Sequence, residues 1–132
     1  MANALYPIGK KALLDADIDL LVDTIKVALV DTGTYTYSAA HDFYDDVSAG
    51  VVGTPVTLGT KTTTAGVFDS ADPTWTSVSG STVEAIVMYK DTGVAGTSAL
   101  IAYYDTGITG LPLTPNGGNV TYTVHASGWF GL

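Results

Sequence analysis

The chain has 132 residues, 46% of them hydrophobic and 14% charged, and its 13 acidic and 5 basic residues give a net charge of −8. This length predicts one domain with a single core, and the low charge predicts that much of the surface is covered by partners or is neutral and rich in threonine. Arginine is absent and the lysines are scattered, which argues against nucleic-acid or anionic-membrane binding because both need clustered cations.

Cysteine is also absent, which excludes disulfides and thiolate metal sites and agrees with assembly in a reducing cytosol. No apolar run approaches the ~20 residues that span a bilayer. The apolar run after Lys10-Lys11 is too short for a signal peptide, so we expect none.

Two short helices are predicted in the N-terminal third. The first covers residues 3–15, where Asn3 can cap a helix and Pro7 suits its first turn. A strand follows at residues 25–30, whose apolar side chains alternate between two faces. The second helix begins at Ser38, a serine cap followed by acidic residues, and ends by residues 47–50.

From residue 51 onward the pattern is that of strands and turns. Pro55 marks residues 51–64 as an edge segment, and a long loop rich in glycine and proline covers residues 106–118. Further strands are predicted at 74–78, 82–90, 99–104 and 119–125. The expected fold is therefore mainly β, with a minor α component: a β-sandwich-like core with one or two short helices in the N-terminal third. We divide the single domain into an N-terminal helical arm (1–22), a β core (23–126) and an apolar C-terminal tail (127–132).

Three apolar runs end in Asp-Thr-Gly, at Asp31, Asp91 and Asp105. The same tripeptide marks the catalytic loops of aspartic proteases, which need two carboxylates sharing one proton. It also suits ordinary turns, since Asp accepts a bond from the backbone two residues on and Gly tolerates positive φ. The later strand and the flap of a protease half cannot be placed, so we predict strand-ending turns and no enzyme, keeping an aspartyl hydrolase using Asp31 as the remotest alternative.

Two acidic stretches are candidate metal sites. Residues 15–19 alternate Asp15, Asp17 and Asp19, but the positions where an EF-hand needs Gly and Glu hold Leu20 and Lys26. A solvated acidic stretch is the preferred interpretation.

His41 is followed by Asp42, Asp45 and Asp46, but a transition-metal site would need a second histidine or a thiolate nearby. His125 lies far away in the sequence. We therefore expect no metal, no cofactor and no catalytic residues.

Aromatic residues outside the predicted strands are candidates for a protein interface, because aromatic side chains bury a large area at low entropic cost. Trp75 and Tyr89 are better explained as core. The apolar C-terminus is interpreted as a docked tail, either a last edge strand or an anchor into a partner. The predicted interface residues are Leu5, Tyr6, Tyr35, Tyr37, Tyr44, Trp129, Phe130 and Leu132.

Several segments together resemble a family of short tailed-bacteriophage virion proteins. The opening MANALYP resembles the start of that family, and its most recognisable block resembles IDLLVDTIKVALVDTG (18–33) and YTYSAAHDF (35–43). The later half is similar in EAIVMYKDTG (84–93), LIAY (100–103), TGLP (109–112) and TPNGG (114–118). The resemblance covers most of the chain, whereas residues 129–132 depart from the family's ending.

The resemblance implies a non-enzymatic phage structural protein, and we expect a capsid decoration (cement) protein that stabilises the head by binding the major capsid protein. Such a protein would be made in the host cytoplasm and sit on the capsid surface, without nucleic-acid or membrane contacts. Self-association as a homotrimer is the default geometry for that role. Alternatives are a tail, tail-tip or baseplate protein and, from another class, a glycan-binding β-module.

Overall fold

The computed structural model describes residues 3–132, and its strands alternate with turns along nearly the whole of that range. In chain order the strands are β1 (Ala4–Leu5), β2 (Ile25–Val30), β3 (Val51–Thr57), β4 (Val67–Phe68), β5 (Thr74–Trp75), β6 (Ala85–Lys90), β7 (Leu100–Tyr104), β8 (Val120–Thr121) and β9 (Phe130–Gly131). One α-helix, α1, covers Pro7–Leu14. Short 3₁₀ helices cover Tyr44–Asp46, Ser48–Gly50, Thr64–Gly66 and Ala95–Thr97.

The strands form one five-stranded antiparallel sheet in the order β1-β7-β6-β2-β3 and two ribbons, β4-β9 and β5-β8. The prediction of a mainly β fold with a short helix in the N-terminal third is therefore confirmed. In the described residues, no helix is both long and apolar enough to cross a lipid bilayer.

Both faces of the central strands are buried, and the predicted alternation of β2 is confirmed. The ribbon face carries Ile25, Val27, Leu29, Ile86, Met88 and Ile101, packed with Phe68, Trp75 and Trp129. The opposite side, which we call the tyrosine face, carries Ala28, Val30, Val87, Leu100 and Tyr103, packed with Tyr6, Tyr35 and Val47. A strand that is buried on both faces needs a nearly continuous apolar sequence, as these have.

Two irregularities shape the sheet. Where β6 pairs with β7, Met88 lies opposite Ala102 and Tyr89 lies opposite Leu100. Ile101 of β7 is therefore an extra residue in the ladder. In β3, three residues separate the partners of Val27 and Leu29. This insertion contains Pro55 and lies on the outermost strand, which confirms the predicted edge position.

The predicted N-terminal helix is shorter than residues 3–15, and Asn3 does not cap it. The helix begins at Pro7, after an extended Tyr6 that makes no side-chain cap. Asn3 instead accepts hydrogen bonds from the backbone N–H groups of Asp105 and Thr106 and donates to the Thr106 carbonyl. Pairing of β1 with β7 therefore competes successfully with helix extension, because it satisfies backbone groups at the sheet edge.

The predicted second helix after Ser38 is wrong. Residues 31–50 cross the tyrosine face as turns and two 3₁₀ helices, with Tyr35 and Val47 buried against the strands. Phe43 forms an isolated bridge with Ala99, which fixes the segment in an extended conformation at that point. The serine and acidic residues form local turns instead: Ser38 Oγ accepts from Ala40 N–H, and Asp46 accepts from Asp42 N–H.

The C-terminal tail forms a strand of the chain's own fold. This is one of the two interpretations of the tail, the other being an anchor into a partner. β9 pairs with β4, and Trp129 is only 6% exposed. Its indole N–H donates to Ser70 Oγ at 2.8 Å, while its carbonyl accepts from the Tyr104 hydroxyl at 2.9 Å. The tail thereby closes the ribbon face.

Replacing Gly9 should be costly, because α1 lies directly against β7. A Cβ at Gly9 would come within 2.5 Å of the Leu100 carbonyl oxygen and 2.8 Å of Ile101 Cα, and backbone cannot move aside easily. We expect Gly9→Ala to lower the free energy of unfolding by about 1–3 kcal/mol. Urea denaturation measures this, with Gly59→Ala as control because nothing lies within 4 Å of its Cβ position. Equal stabilities of the two variants would contradict the close packing of α1.

Trp129→Ala tests whether the tail belongs to the core. Removal of this buried side chain should cost about 3–5 kcal/mol of unfolding free energy. Leu132→Ala, three residues later and 75% exposed, should leave the urea midpoint unchanged. A tail that docks only onto a partner would instead give both variants the stability of the parent chain.

Candidate functional site

The three Asp-Thr-Gly tripeptides end strands, as predicted. Asp31 Oδ1 accepts from Gly33 N–H at 2.8 Å, and Asp91 Oδ1 accepts from Gly93 N–H at 3.0 Å. At the third site Asp105 Oδ1 accepts from the Thr106 hydroxyl at 2.9 Å. Positive φ occurs at Gly93 and Gly107, so the conformational freedom of glycine is used at two of the three sites.

The strand directions keep these aspartates apart. β2 and β6 run antiparallel, so Asp31 and Asp91 follow opposite ends of a six-residue pairing, about 20 Å from each other. Asp31 and Asp105 share one end of the sheet, but β6 lies between their strands, which separates the strand ends by about 10 Å. Since each carboxylate also bonds within its own turn, the geometry offers no proton-sharing pair among the three.

A polar hollow of about 300 Å³ lies at the end of the sheet where β2 and β7 finish and β6 begins. We call it the tyrosine–carboxylate hollow. It is lined by Thr32, Tyr35, Thr36, Tyr37, Glu84, Tyr103 and Asp105. Its residues come from three segments: the turn after β2, the start of β6 and the end of β7.

The tyrosines of the hollow belong to a packed group on the tyrosine face. The ring of Tyr37 lies 5.0 Å from that of Tyr6 and 5.2 Å from that of Tyr103, measured between centroids. The hydroxyls of Tyr6 and Tyr35 are 2.8 Å apart, and Tyr35 OH lies 2.8 Å from His41 Nδ1. This chain of hydrogen bonds leads from a fully buried hydroxyl to the half-buried His41, which satisfies polar groups that burial would otherwise penalise.

The two carboxylates of the hollow have different surroundings. Glu84, the only glutamate in the chain, accepts a bond from the Thr32 hydroxyl at 3.2 Å. Asp105 accepts from the Tyr103 hydroxyl at 3.1 Å. Burial, followed by the charge of Asp105 and the hydrogen bond to it, raises the pKa of Tyr103. The hollow therefore combines negative charge with neutral phenol groups.

The lysines that contact the sheet lie at its other end. Lys26 pairs with Asp91 at 3.1 Å, and Lys90 pairs with Asp23 at 3.2 Å. Lys61 donates to the backbone carbonyl of Asp23. Lys10 and Lys11 lie on α1, where Lys11 pairs with Asp15. No lysine lines the tyrosine–carboxylate hollow.

A second cavity, of about 230 Å³, opens on the ribbon face under the loop of residues 106–118. Leu29, Trp75 and Ile86 form its floor, and Asn119 and Thr121 contribute polar groups at its wall. The indole N–H of Trp75 is already bonded to the Val27 carbonyl at 3.2 Å. The cavity is consequently mostly apolar and contains no charged side chain.

The predicted interface residues have very different accessibilities in the single chain. Tyr6, Tyr35 and Trp129 are 0%, 4% and 6% exposed, so their side chains contact their own fold. Leu132 is 75% exposed and available to a partner. The others are partly buried: Leu5, Tyr37, Tyr44 and Phe130. A role at an interface stays a prediction for the whole set.

Three of the large exposed apolar side chains lie outside the interface residues predicted from the sequence. Leu14 is 85% exposed, Val22 80% and Leu21 50%, and all three lie in or just after α1. Leu21 lines a shallow hollow together with Leu13 and Leu20, and in the chain Leu14 and Val22 directly follow lining residues. An imperfect apolar stripe in the predicted helical arm was the available signal, but residue spacing alone does not tell which side of a short helix stays uncovered.

The acidic stretches form local turns. Asp42, Asp45 and Asp46 have carboxylate oxygens within 4.8 Å of one another, but all three residues are exposed. Asp19 Oδ1 accepts from the N–H groups of Leu21 and Val22, which closes a turn in the other stretch. Neither arrangement shows a feature that favours a bound ion over a solvated turn.

Comparison with known proteins gives no family for the chain. The sequence matches no protein-family model, and no curated protein matches it at a significant level.

Alkaline pH should destabilise the protein. Burial is the main cause that raises the pKa of seven tyrosines: Tyr6, Tyr35, Tyr44, Tyr89, Tyr103, Tyr104 and Tyr122. A folded-state pKa above the unfolded value of about 10 makes stability constant below that pH and decreasing above it. Absorbance at 295 nm should show later ionisation in the native than in the urea-unfolded protein. Coincident titration curves would contradict the tyrosine burial.

Proposed function

We propose that the protein is a non-enzymatic structural component of a tailed-phage virion, most specifically a capsid decoration protein that binds the major capsid protein. The proposal starts from the resemblance of residues 18–43 and 84–118 to short phage virion proteins. The observation that carries it is a set of exposed apolar side chains at the end of α1, in a chain whose sheet is otherwise covered on both faces.

This exposed apolar set, Leu14, Leu21 and Val22, is the contact element we assign to the N-terminal arm. Scattered exposed apolar residues are common, but three fall within nine positions of the chain here, and one of them, Leu21, lines a shallow hollow that a partner can contact. Burying a leucine or valine side chain stabilises association by about 1.5–3 kcal/mol. A decoration protein needs such contacts because it adds buried area between capsid subunits.

The charge distribution is compatible with a position on the outside of a capsid. A net charge of −8 without arginine gives no attraction to packaged DNA. The lysines that contact the sheet are engaged with aspartates or backbone carbonyls. Specific contacts with protein, rather than with phosphate, are therefore favoured.

Location in the tail is the nearest alternative, because the same surface would serve a tail-tip or baseplate protein. Copy number separates the two roles, since a decoration protein is present in far more copies than a tip protein. A glycan-binding module draws support from one feature, the carboxylates and tyrosines around the polar hollow. An aspartyl hydrolase draws none from the positions of Asp31, Asp91 and Asp105.

The double variant Leu14→Ser/Val22→Ser tests the contact element. Both side chains are at least 80% exposed, so the fold should be retained while an apolar contact to the capsid is lost. We expect at least about a tenfold weaker association with purified capsids, equivalent to about 1.4 kcal/mol. Quantitative protein analysis of virions and their resistance to heat provide the measurements.

Val94→Ser provides a matched control, because Val94 is also exposed (60%) but lies in the turn between β6 and β7. Leu132→Ser examines the tail as the other predicted contact. Full occupancy and unchanged heat resistance of virions carrying the double variant would remove the N-terminal arm from the proposal. Failure of the wild-type chain to bind capsids would remove the decoration role itself.

A further inference from the structure

We propose that the tyrosine–carboxylate hollow binds the ammonium group of a lysine side chain presented by a partner protein. The inference rests on the proposed function only for the partner, which would be the major capsid protein. The site itself is argued from the walls of the hollow, the position of Glu84 and the distribution of charge over the sheet.

Glu84 is the first element of the argument. It is half-buried beside Tyr103, and the bond it receives comes from a neutral hydroxyl, Thr32 Oγ1. A carboxylate can accept about four hydrogen bonds, so it retains capacity for further donors. A partly buried negative charge is stabilised when a cation with N–H donors approaches it.

Charge segregation is the second element. The lysine–aspartate pairs of the sheet are at the end where Lys26 and Lys90 lie, six residues along β6 from Glu84 and therefore about 20 Å away. Those lysines are too far to balance Glu84 within the chain. No lysine among the described residues balances the charge of Glu84, which therefore attracts an external cation.

The tyrosines supply the third element. Tyr37 is half-buried, lines the hollow, and its hydroxyl makes no hydrogen bond within the described part of the chain. Its ring packs beside that of Tyr103 at 5.2 Å, so the wall is aromatic on the side away from the solvent. Aromatic rings next to carboxylates favour organic cations, because the ring quadrupole and the negative charge act in the same direction.

An ammonium group fits this lining better than the other ligands considered. A sugar would need a broad open aromatic face for stacking, yet Tyr35 and Tyr103 are 4% and 2% exposed, which leaves the half-buried Tyr37 as the accessible ring among the described tyrosines of the hollow. A guanidinium presents its donors in one rigid plane, whereas the acceptors that line the hollow come from separate segments: Glu84 just before β6 and Tyr37 in the segment after β2. The three rotatable donors of an ammonium can reach acceptors that come from separate segments.

The direct test is titration of the full-length, ¹⁵N-labelled protein with n-butylammonium at pH 7 and constant ionic strength. We expect saturable amide shifts at Thr32, Tyr37, Glu84 and Tyr103, with a Kd of about 1–10 mM, in the range of a small single-site ligand. Glu84→Gln keeps the shape and removes the charge, and should weaken binding at least about tenfold. Tyr37→Leu, which removes the ring, should weaken it about threefold.

Asp17→Asn is the matched control, since it removes one exposed carboxylate from the other end of the sheet. It should leave the Kd unchanged. n-Butanol, the neutral analogue, should give no saturable shifts at the same residues.

The site is excluded by absence of saturable shifts, by equal binding of butanol, or by equal weakening in Asp17→Asn and Glu84→Gln. Stronger binding of glucose or Ca²⁺ than of butylammonium would also overturn the proposal. These outcomes are independent of capsid occupancy. A failed ammonium site with intact decoration would therefore leave the proposed function standing, and ammonium binding without decoration would refute the function alone.

Discussion

The burial of β2, β6 and β7 on both faces is the constraint on which the structure depends. Ile86 and Met88 face the ribbons while Val87 and Tyr89 face the tyrosines, so Ala85–Tyr89 are buried throughout and need an apolar environment on both sides. The rest of the chain packs on the two faces of these strands and covers them. Short ribbons ending in Trp129 close one face, and the irregular segment of residues 31–50 closes the other.

The second cover differs from the first because it is rich in hydroxyl groups. Tyrosine can bury a ring against a strand only when its hydroxyl finds a partner, and here Tyr6, Tyr35 and His41 provide partners for one another. The need of each hydroxyl for a hydrogen-bond partner is also met at the end of the sheet, where the tyrosine group ends. There the hydroxyls meet carboxylates and solvent, which produces a polar hollow beside an otherwise apolar face.

The stabilising contacts and the proposed binding surfaces lie in different parts of the molecule. Lys26 and Lys90 of the sheet form ion pairs with Asp91 and Asp23, and most of the large aromatic side chains are buried. The two proposed contacts are the exposed apolar residues in or just after α1 and the acidic hollow at the other end of the strands.

The sequence by itself determined the strands with the strongest local patterns. Ile25–Val30 alternates cleanly, Pro55 can only lie at an edge or a bulge, and each Asp-Thr-Gly provides its own turn chemistry. It did not determine the contacts of Asn3, Ser38 or Trp129, because these depend on residues far away in the chain. Asn3 bonds to residues 105–106, the segment after Ser38 packs on the tyrosine face, and the strand that follows Trp129 pairs with β4. The tyrosine–carboxylate hollow was equally beyond the sequence, since Thr32, Glu84 and Asp105 meet only after antiparallel pairing brings three strand ends together. Local chemistry fixes turns and alternation within a few residues, whereas caps, buried tails and sites depend on contacts between residues far apart in the chain, which only the tertiary structure decides.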